Sequence, residues 1–418
     1  MKKLLSLLLA CMMLFLTACN QTPPSETTTG NSQNHQKPED SLPQGIVRNG
    51  FGNFLDIPSR IVFEQSGQVF YYSKADGKAY VYCFDPLCDH SGGKCLANPH
   101  DNKNILEFAF WCTFFINNRF YVVTTYGQIY SMAFDGSDIR IEYGEKEYVY
   151  GEFNYHLWSQ NYIAYDKYIY IPTNADENEK YHLLRFNTET KEMENLTEKT
   201  GNFMNPRFFY NGEIYGRVRS QSGYGWYKAD LDMKTMEPIE AQPTTNQFYG
   251  SLFFDKAFDN PTDYKNRKQI GFQAYDIKTG ETKIITKEML GLEEDYRYSI
   301  LCVDENYVYF KQYREEQILI GNRPPAANGR ENKVYSSDTG KLYRMKHDGT
   351  ECTLMYDNPN FEFKSLEAIV YGDKIIFKGQ EYATGADGYL FYTFGGMLVG
   401  TMGADGKIEK LEMLEFVY

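Results

Sequence analysis

One short element restarts about every fifty residues, and that recurrence restricts the fold more than any other feature of the chain. Two or three apolar residues meet a short polar turn, and an apolar-aromatic run follows. The element reads VFEQSGQVFYY from Val62, FFINNRFYVV from Phe114, IAYDKYIYI from Ile163 and FFYNGEIYGRV from Phe208. It returns as LCVDENYVYF from Leu301 and IVYGDKIIF from Ile369, with a degenerate copy, LFFDKAF, from Leu252. With turns starting at Ser66, Asn117, Asp166, Asn211, Asp255, Glu305 and Gly372, the steps are 51, 49, 45, 44, 50 and 67 residues. Asn-Gly and related pairs between apolar runs are the strongest short-range hairpin signal a sequence carries.

A second strand pair follows each copy. IYSMAFDGSDIR from Ile129 and LYRMKHDGTECTLMY from Leu342 match almost position for position. Looser versions begin at Leu183, Tyr227, Phe272 and Gly400. Four strands per unit at this period describe propeller blades rather than solenoid coils. The expectation is an all-β chain: a β-propeller of seven four-stranded blades, with six or eight compatible because a ring-closing blade can mix strands from both chain ends. No window holds a helical period; KEMLGLEED near Lys287 offers one turn or two. Aromatic residues make up 16% of the chain, with 36 Tyr and 29 Phe, which suits strands and a large buried core. The Asp-Gly-turn repeats resemble those of TolB-like and related β-propeller lipoproteins over roughly residues 55 to 415. That resemblance implies a surface-exposed propeller that binds something, often without chemistry of its own, and it says little about activity.

The N-terminus reads MKKLLSLLLACMMLFLTAC. Two lysines precede an apolar run from Leu4 to Leu16, which is short for a bilayer span and flanked as a signal peptide is. Its ending, Leu16-Thr17-Ala18-Cys19, resembles the lipobox of bacterial lipoproteins, which implies cleavage before Cys19 and a diacylglycerol on its thiol. Two acyl signals on one residue hold a protein stably to a membrane. The organisation expected is therefore a signal peptide over 1–18, a lipidated cysteine and tether over 19–45, and one propeller domain over 46–418. Asn20 to Gly45 is nearly free of large apolar residues and cannot bury enough surface to fold. As a random chain it reaches about 30 Å from the membrane. His35 belongs to it.

The chain carries a net charge of −13, or −13 − 2 = −15 once the two lysines of 1–18 are gone. Such a surface repels phosphate backbones, so nucleic acid is excluded as a partner. No G-x-S-x-G, H-E-x-x-H, P-loop or D-x-D-x-D-G calcium loop is present.

Candidate site residues fall in three groups. In VYCFDPLCDHSGGKC, Cys83, Cys88, His90 and Cys95 stand where the outer turn of the first blade belongs, at the rim of the ring. Three thiolates and one imidazole would complete a tetrahedral structural zinc shell. A disulfide suits the same cysteines outside the cytoplasm, with Cys112 as an extra partner, and inert thiols are the third reading. Each is a staple or a decoration; a catalytic thiol would need a base nearby. Second, His156 beside Trp158, and Tyr224 with Trp226 in SGYGW, read as an aromatic loop, are candidate ligand platforms, against the plainer reading of packed aromatics. Third, two stretches, Glu315 to Gly340 and Gln380 to Gly396, read as long loops able to rim a pocket. Cys302, Cys352 and His347 read as two packed thiols and a solvated turn residue.

The function expected is a monomeric, membrane-anchored, extracytoplasmic binding module for a protein or a glycan, with no cofactor beyond a structural zinc. The alternative is a propeller-fold carbohydrate-active enzyme, a lyase or glycosidase. Such an enzyme needs charged groups from several blades at the channel mouth, and the first strands of the units are almost wholly apolar.

Overall fold

A computed structural model describes residues 54–57, 59–65, 68–83, 88, 113–123, 128–133, 137–144, 162–173, 180–220, 223–239, 247–260, 266–325 and 330–417. Seven antiparallel sheets follow one another in chain order, and the fold is a seven-bladed β-propeller. Blade 2 spans 113–143, blade 3 163–195, blade 4 205–239, blade 5 248–286, blade 6 297–357 and blade 7 361–413, each with four strands in simple meander order. Blade 1 has five. Phe54–Ile57, Arg60–Gln65, Gln68–Ser73 and Ala79–Val81 are joined by Phe416–Val417, which pairs parallel to Ala79–Val81. The end of the chain thus closes the ring onto its first sheet. Phe416 packs edge-on against Phe70, with centroids 4.7 Å apart, and secures that closure.

The first hairpin of each unit forms where the sequence placed it, with one exception. Asn117, Asn118, Asp166 and Asn211 all take positive φ, between 48° and 61°, as tight hairpin turns demand and as Asn and Asp tolerate. The exception is blade 5. Its turn is Gly250-Ser251, between Phe248–Tyr249 and Leu252–Phe258, so Asp255 lies inside a strand. A polar pair in a strand had the look of a turn. Measured to Gly250, the steps become 250 − 211 = 39 and 305 − 250 = 55.

Two further expectations are corrected. Glu315–Gly340 and Gln380–Gly396 are not loops. The paired strands Tyr307–Arg323 and Asn332–Lys346 run out to Arg323 opposite Asn332, and Lys374–Thr384 with Leu390–Met402 run out to Thr384 opposite Leu390. Blades 6 and 7 therefore carry long β-hairpins. The KEMLGLEED stretch forms turns. One helix among the described residues, α1 (Leu196–Thr200), follows the last strand of blade 3, capped by the Asn195 side chain accepting from the Glu198 N–H and ended by Gly201 at φ 77°.

Each sheet hides its faces only against its neighbours, and the third-to-fourth-strand turn of one blade repeatedly docks on the blade before it. Arg185 of blade 3 donates from Nε to Glu194 at 2.6 Å and from Nη1 to Asp232 in the blade 4 turn at 2.8 Å. Lys191 in the blade 3 turn reaches the buried Glu142 of blade 2 at 2.9 Å. Lys283 of blade 5 donates to the carbonyl of Asp348 in the blade 6 turn at 2.8 Å. Glycine serves the same junction. Gly349 and Gly406 have φ of 83° and 78°, and a Cβ at either would collide with Ile285 or Arg344 of the preceding blade. The repeated Asp-Gly is thus a requirement of both turn and docking.

Blades 6 and 7 share a buried ion pair at the root of their hairpins. Lys311 Nζ lies 3.0 Å from Asp338 and donates to the carbonyl of Phe363 in blade 7 at 2.8 Å. Asp338 also accepts from the N–H groups of Gly340 and Phe363, at 2.9 and 3.2 Å, while burial pushes its carboxyl up. Removing the carboxylate strands a buried ammonium. Asp338→Ala is expected to lose about 3–5 kcal/mol in urea unfolding. Glu412→Ala, which breaks the exposed Lys410–Glu412 pair, is expected to leave the midpoint unchanged.

Candidate functional site

In a meander sheet successive turns alternate ends, so every second-to-third-strand connection opens on one face of the ring, where the strands next enter each blade. The two long hairpins belong to this face. They pack together. A Cβ at Gly321 would meet Leu390 at 3.2 Å, and the Arg323 guanidinium sits 4.5 Å from the Tyr392 ring centre. Tyr382 lies 5.2 Å from Tyr392, and its hydroxyl donates to Glu362, which also accepts from Gln380 at 3.0 Å. Above this polar support, Ile318, Leu319, Tyr335, Phe391 and Tyr392 are each 43–50% exposed. Successive strand residues face opposite ways, so Ile318 and Leu319, like Phe391 and Tyr392, put exposed apolar side chains on both faces of the hairpins.

A second cluster lies further round the ring, on the second strands of blades 4 and 5. Counted from the first residue of those strands, Arg217 and Lys256 occupy the same position. The Lys256 ammonium lies 3.1 Å from the Tyr313 hydroxyl of blade 6, so this position looks toward the following blade. By the same pleat Arg217 looks toward blade 5, and Asp255, one residue earlier, looks back toward blade 4. Arg267 stands over the Phe258 ring at 3.9 Å, and Arg217 lies 5.1 Å from the ring of Trp226, its cross-strand partner. Asp255 accepts one hydrogen bond, from the Lys256 backbone N–H at 2.7 Å, and is paired with no described cation. Burial pushes its carboxyl up to about 6, against a weaker pull from that N–H and from Lys256, Arg267 and Arg217.

The residues singled out from sequence are placed as follows. Trp226 lies within the strand Gly223–Asp230 rather than at a loop tip, 5% exposed, beside Phe208. Tyr224 is on the same strand, opposite Arg219. Cys83 and Cys88 pack partly buried against Phe70, Val81, Ile376 and Met397, at the seam between blades 1 and 7. Among the described residues no set of three His, Cys, Asp or Glu is arranged to hold a metal. Cys19, His90, Cys95, Cys112, His156 and Trp158 lie outside the described residues, as do the signal peptide and tether. Cys302 is buried in Arg297–Val303, and burial pushes the Cys352 thiol up to about 11. His347 is half-buried rather than fully solvated. Its Nε2 lies 3.0 Å from the Asp304 carbonyl and its ring 5.2 Å from Phe254, with burial lowering its basicity. The Asp255 cluster went unseen in the sequence because Asp255 read as a turn. The readable signal was Arg217 and Lys256 at one register.

No protein-family model and no curated protein matches the chain. Among solved structures it is similar to an oligogalacturonate lyase from Vibrio parahaemolyticus, at 10% identity and a TM-score of 0.43, over 87% of this chain and 92% of that one. It is similar also to the β-propeller domain of the Trilobed protease from Pyrococcus furiosus, at 12% and 0.41 over 87% and 94%. TolB from Acinetobacter baumannii follows at 11% and 0.29, over 82% and 79%. Identities and scores this low leave the function of the chain to its own residues.

The raised carboxyl of Asp255 sets a pH dependence. The native state holds this proton more tightly than the unfolded chain does, so its contribution is largest below the ordinary value of 3.8 and is lost as pH rises through about 6. Asp255→Asn is therefore expected to stabilise the protein at pH 7.5, by about 1–3 kcal/mol, and to be neutral near pH 4. Thermal unfolding at the two pH values checks it; an equal change at both would contradict it.

Proposed function

We propose that the chain is a lipid-anchored, extracytoplasmic binding propeller, which captures a partner on the face built by the hairpins of blades 6 and 7. One observation carries this reading: two adjacent blades extend paired strands beyond the ring, brace them against each other, and leave Ile318, Leu319, Tyr335, Phe391 and Tyr392 exposed on them. Beyond Tyr382 and Leu390, which are buried, these extensions add little to the ring's own core. Branched aliphatic residues beside aromatic ones suit a protein surface better than a sugar. In this reading Cys19 carries the lipid, residues 20–45 form the tether, and Cys83, Cys88, His90 and Cys95 form a staple near the seam where first and last blades meet.

A photo-crosslinking residue at Leu319, installed in the protein in intact cells, is expected to capture a discrete partner. The same probe at Glu412 on blade 7 is expected to capture none. Ile318→Ser with Phe391→Ser is expected to abolish capture while the thermal midpoint holds; unchanged capture by that folded variant would reject the hairpin face. Cys19→Ala is expected to move the protein from the detergent phase to the aqueous phase in Triton X-114 partitioning. One zinc per chain with reduced thiols would identify the staple as coordination, and two fewer thiols without metal would identify a cystine.

A second reading has its own support. Asp255, buried and with its carboxyl raised, is a group of the kind that transfers protons, and it feels the charges of Arg217 in blade 4 and Lys256 in blade 5. A carbohydrate-active propeller enzyme would draw on charged groups from more than one blade in this way. Products released from acidic polysaccharides, followed by mass spectrometry, would establish turnover and displace the binding-only reading.

A further inference from the structure

The outermost strand of each blade from 2 to 7 carries at least one charged residue: Arg140, Glu194, Glu237, Lys283, Asp357 and Lys410 stand in them in turn. Charges at such an edge discourage another chain from pairing with its backbone. The hairpin of blade 6 follows the same rule. Its second strand leaves its inner neighbour at Tyr313 and runs on through Arg314, Glu315 and Glu316. Its third strand is joined by the fourth only from Lys341, and its outer part holds Lys333 and Asp338.

Blade 7 departs from the rule. Its second strand is covered as far as Glu381 by Phe361, and the Tyr382 N–H then donates to the Asn360 carbonyl at 2.9 Å. Its third strand, Leu390–Met402, pairs with the fourth only from Leu398 onward. The Leu414 N–H adds one bond, to the Met397 carbonyl at 2.9 Å, before the chain leaves for blade 1. Over 390–396 the edge turned away from the second strand pairs with no strand among the described residues. That stretch reads LFYTFGG, with neither a charge nor a proline. It keeps the composition of a central strand where it has become an edge. Backbone groups alternate in direction along a strand, so Gly395, two residues before Met397, turns its N–H and C=O outward. Gly395 is exposed. The open stretch lies in line with the fourth strand and is about 20 Å long.

A row of donors and acceptors at this spacing is matched by another extended backbone. A second copy would bring a like charge of −13 into contact, which opposes self-pairing and favours a basic partner. Phe391, Tyr392 and Phe394 suit β-branched residues on a facing strand. We propose that the edge at 390–396 takes its partner by strand addition: an uncharged, β-branched segment of another protein, flanked by Lys or Arg, pairs with this edge and extends the sheet beyond the fourth strand. The inference rests on the hairpin-face reading and names the contact that face makes.

The test is fluorescence anisotropy of two labelled synthetic peptides with the detergent-solubilised full chain. One alternates valine and threonine between terminal lysines; the other is the same peptide methylated at every backbone nitrogen. Only the first is expected to bind saturably, with Kd below about 1 mM, and to slow amide exchange over 390–396. Gly395→Pro removes the outward N–H and is expected to weaken binding by about tenfold or more. Gly395→Ala keeps that N–H while placing its Cβ 3.0 Å from the Gln380 Cβ, and is expected to weaken it less. Thr393→Lys installs the missing charge on an exposed residue and is expected to abolish binding while the thermal midpoint holds. No saturable binding of the first peptide, equal binding of the methylated one, or full affinity in folded Gly395→Pro and Thr393→Lys proteins would overturn the proposal. Sedimentation that shows dimers dissolved by Thr393→Lys would overturn it in favour of a second copy. Capture at Leu319 that persists in Thr393→Lys would reject strand addition and keep the hairpin face; no capture at Leu319 would reject the face itself.

Discussion

The structure depends on the inability of any of its sheets to stand alone. A four-stranded meander has two faces, and burying both requires a neighbour on each side. The ring supplies this only if it closes. Closure falls to very few residues: Phe416 and Val417 pair with Ala79 and Tyr80 and set an aromatic side chain against Phe63 and Phe70. Between the closing points, the same turn in blades 3, 4, 6 and 7 locks the sheet to its predecessor. The locks differ chemically, through a buried guanidinium at Arg185, an ammonium at Lys191 and Lys283, and the missing side chains of Gly349 and Gly406. What recurs is the place rather than the residue. A blade boundary therefore tolerates sequence drift as long as that turn still reaches back.

How far this could be read from the chain alone follows from what each element exposes. First hairpins were legible because their turns force positive φ, and Asn117, Asp166 and Asn211 declare it. Asp-Gly turns were legible for a related reason, though their docking role was not, because it concerns the preceding blade. The long hairpins were misread as loops. Their outer parts bury few side chains, Ser336, Tyr382 and Leu390 among them, and the strand Tyr307–Arg323 loses its apolar alternation after Tyr313 and passes through Arg314, Glu315 and Glu316. Period-two patterning reports burial, and an extension that buries little writes none. Trp226 was misjudged in the opposite sense: Gly223 and Gly225 just ahead of it suggested a loop, whereas they belong to a strand that brings the indole beneath Arg217.

The misreading of Asp255 has a physical cause that bears on function. A carboxylate beside a lysine between apolar runs is a good turn signal, since turns put such groups in water. Finding the pair inside a strand means the chain accepts a desolvated acid that its own cations do not contact. Native structures retain local strain of this sort where something outside the fold makes use of it. The contrast with Asp338 sharpens the point: there a comparable burial is answered by Lys311 and two backbone N–H groups, and the result joins two blades.

Bracing between Gly321 and Leu390, and between Arg323 and Tyr392, makes a stiff platform that loses little conformational entropy on meeting a large surface.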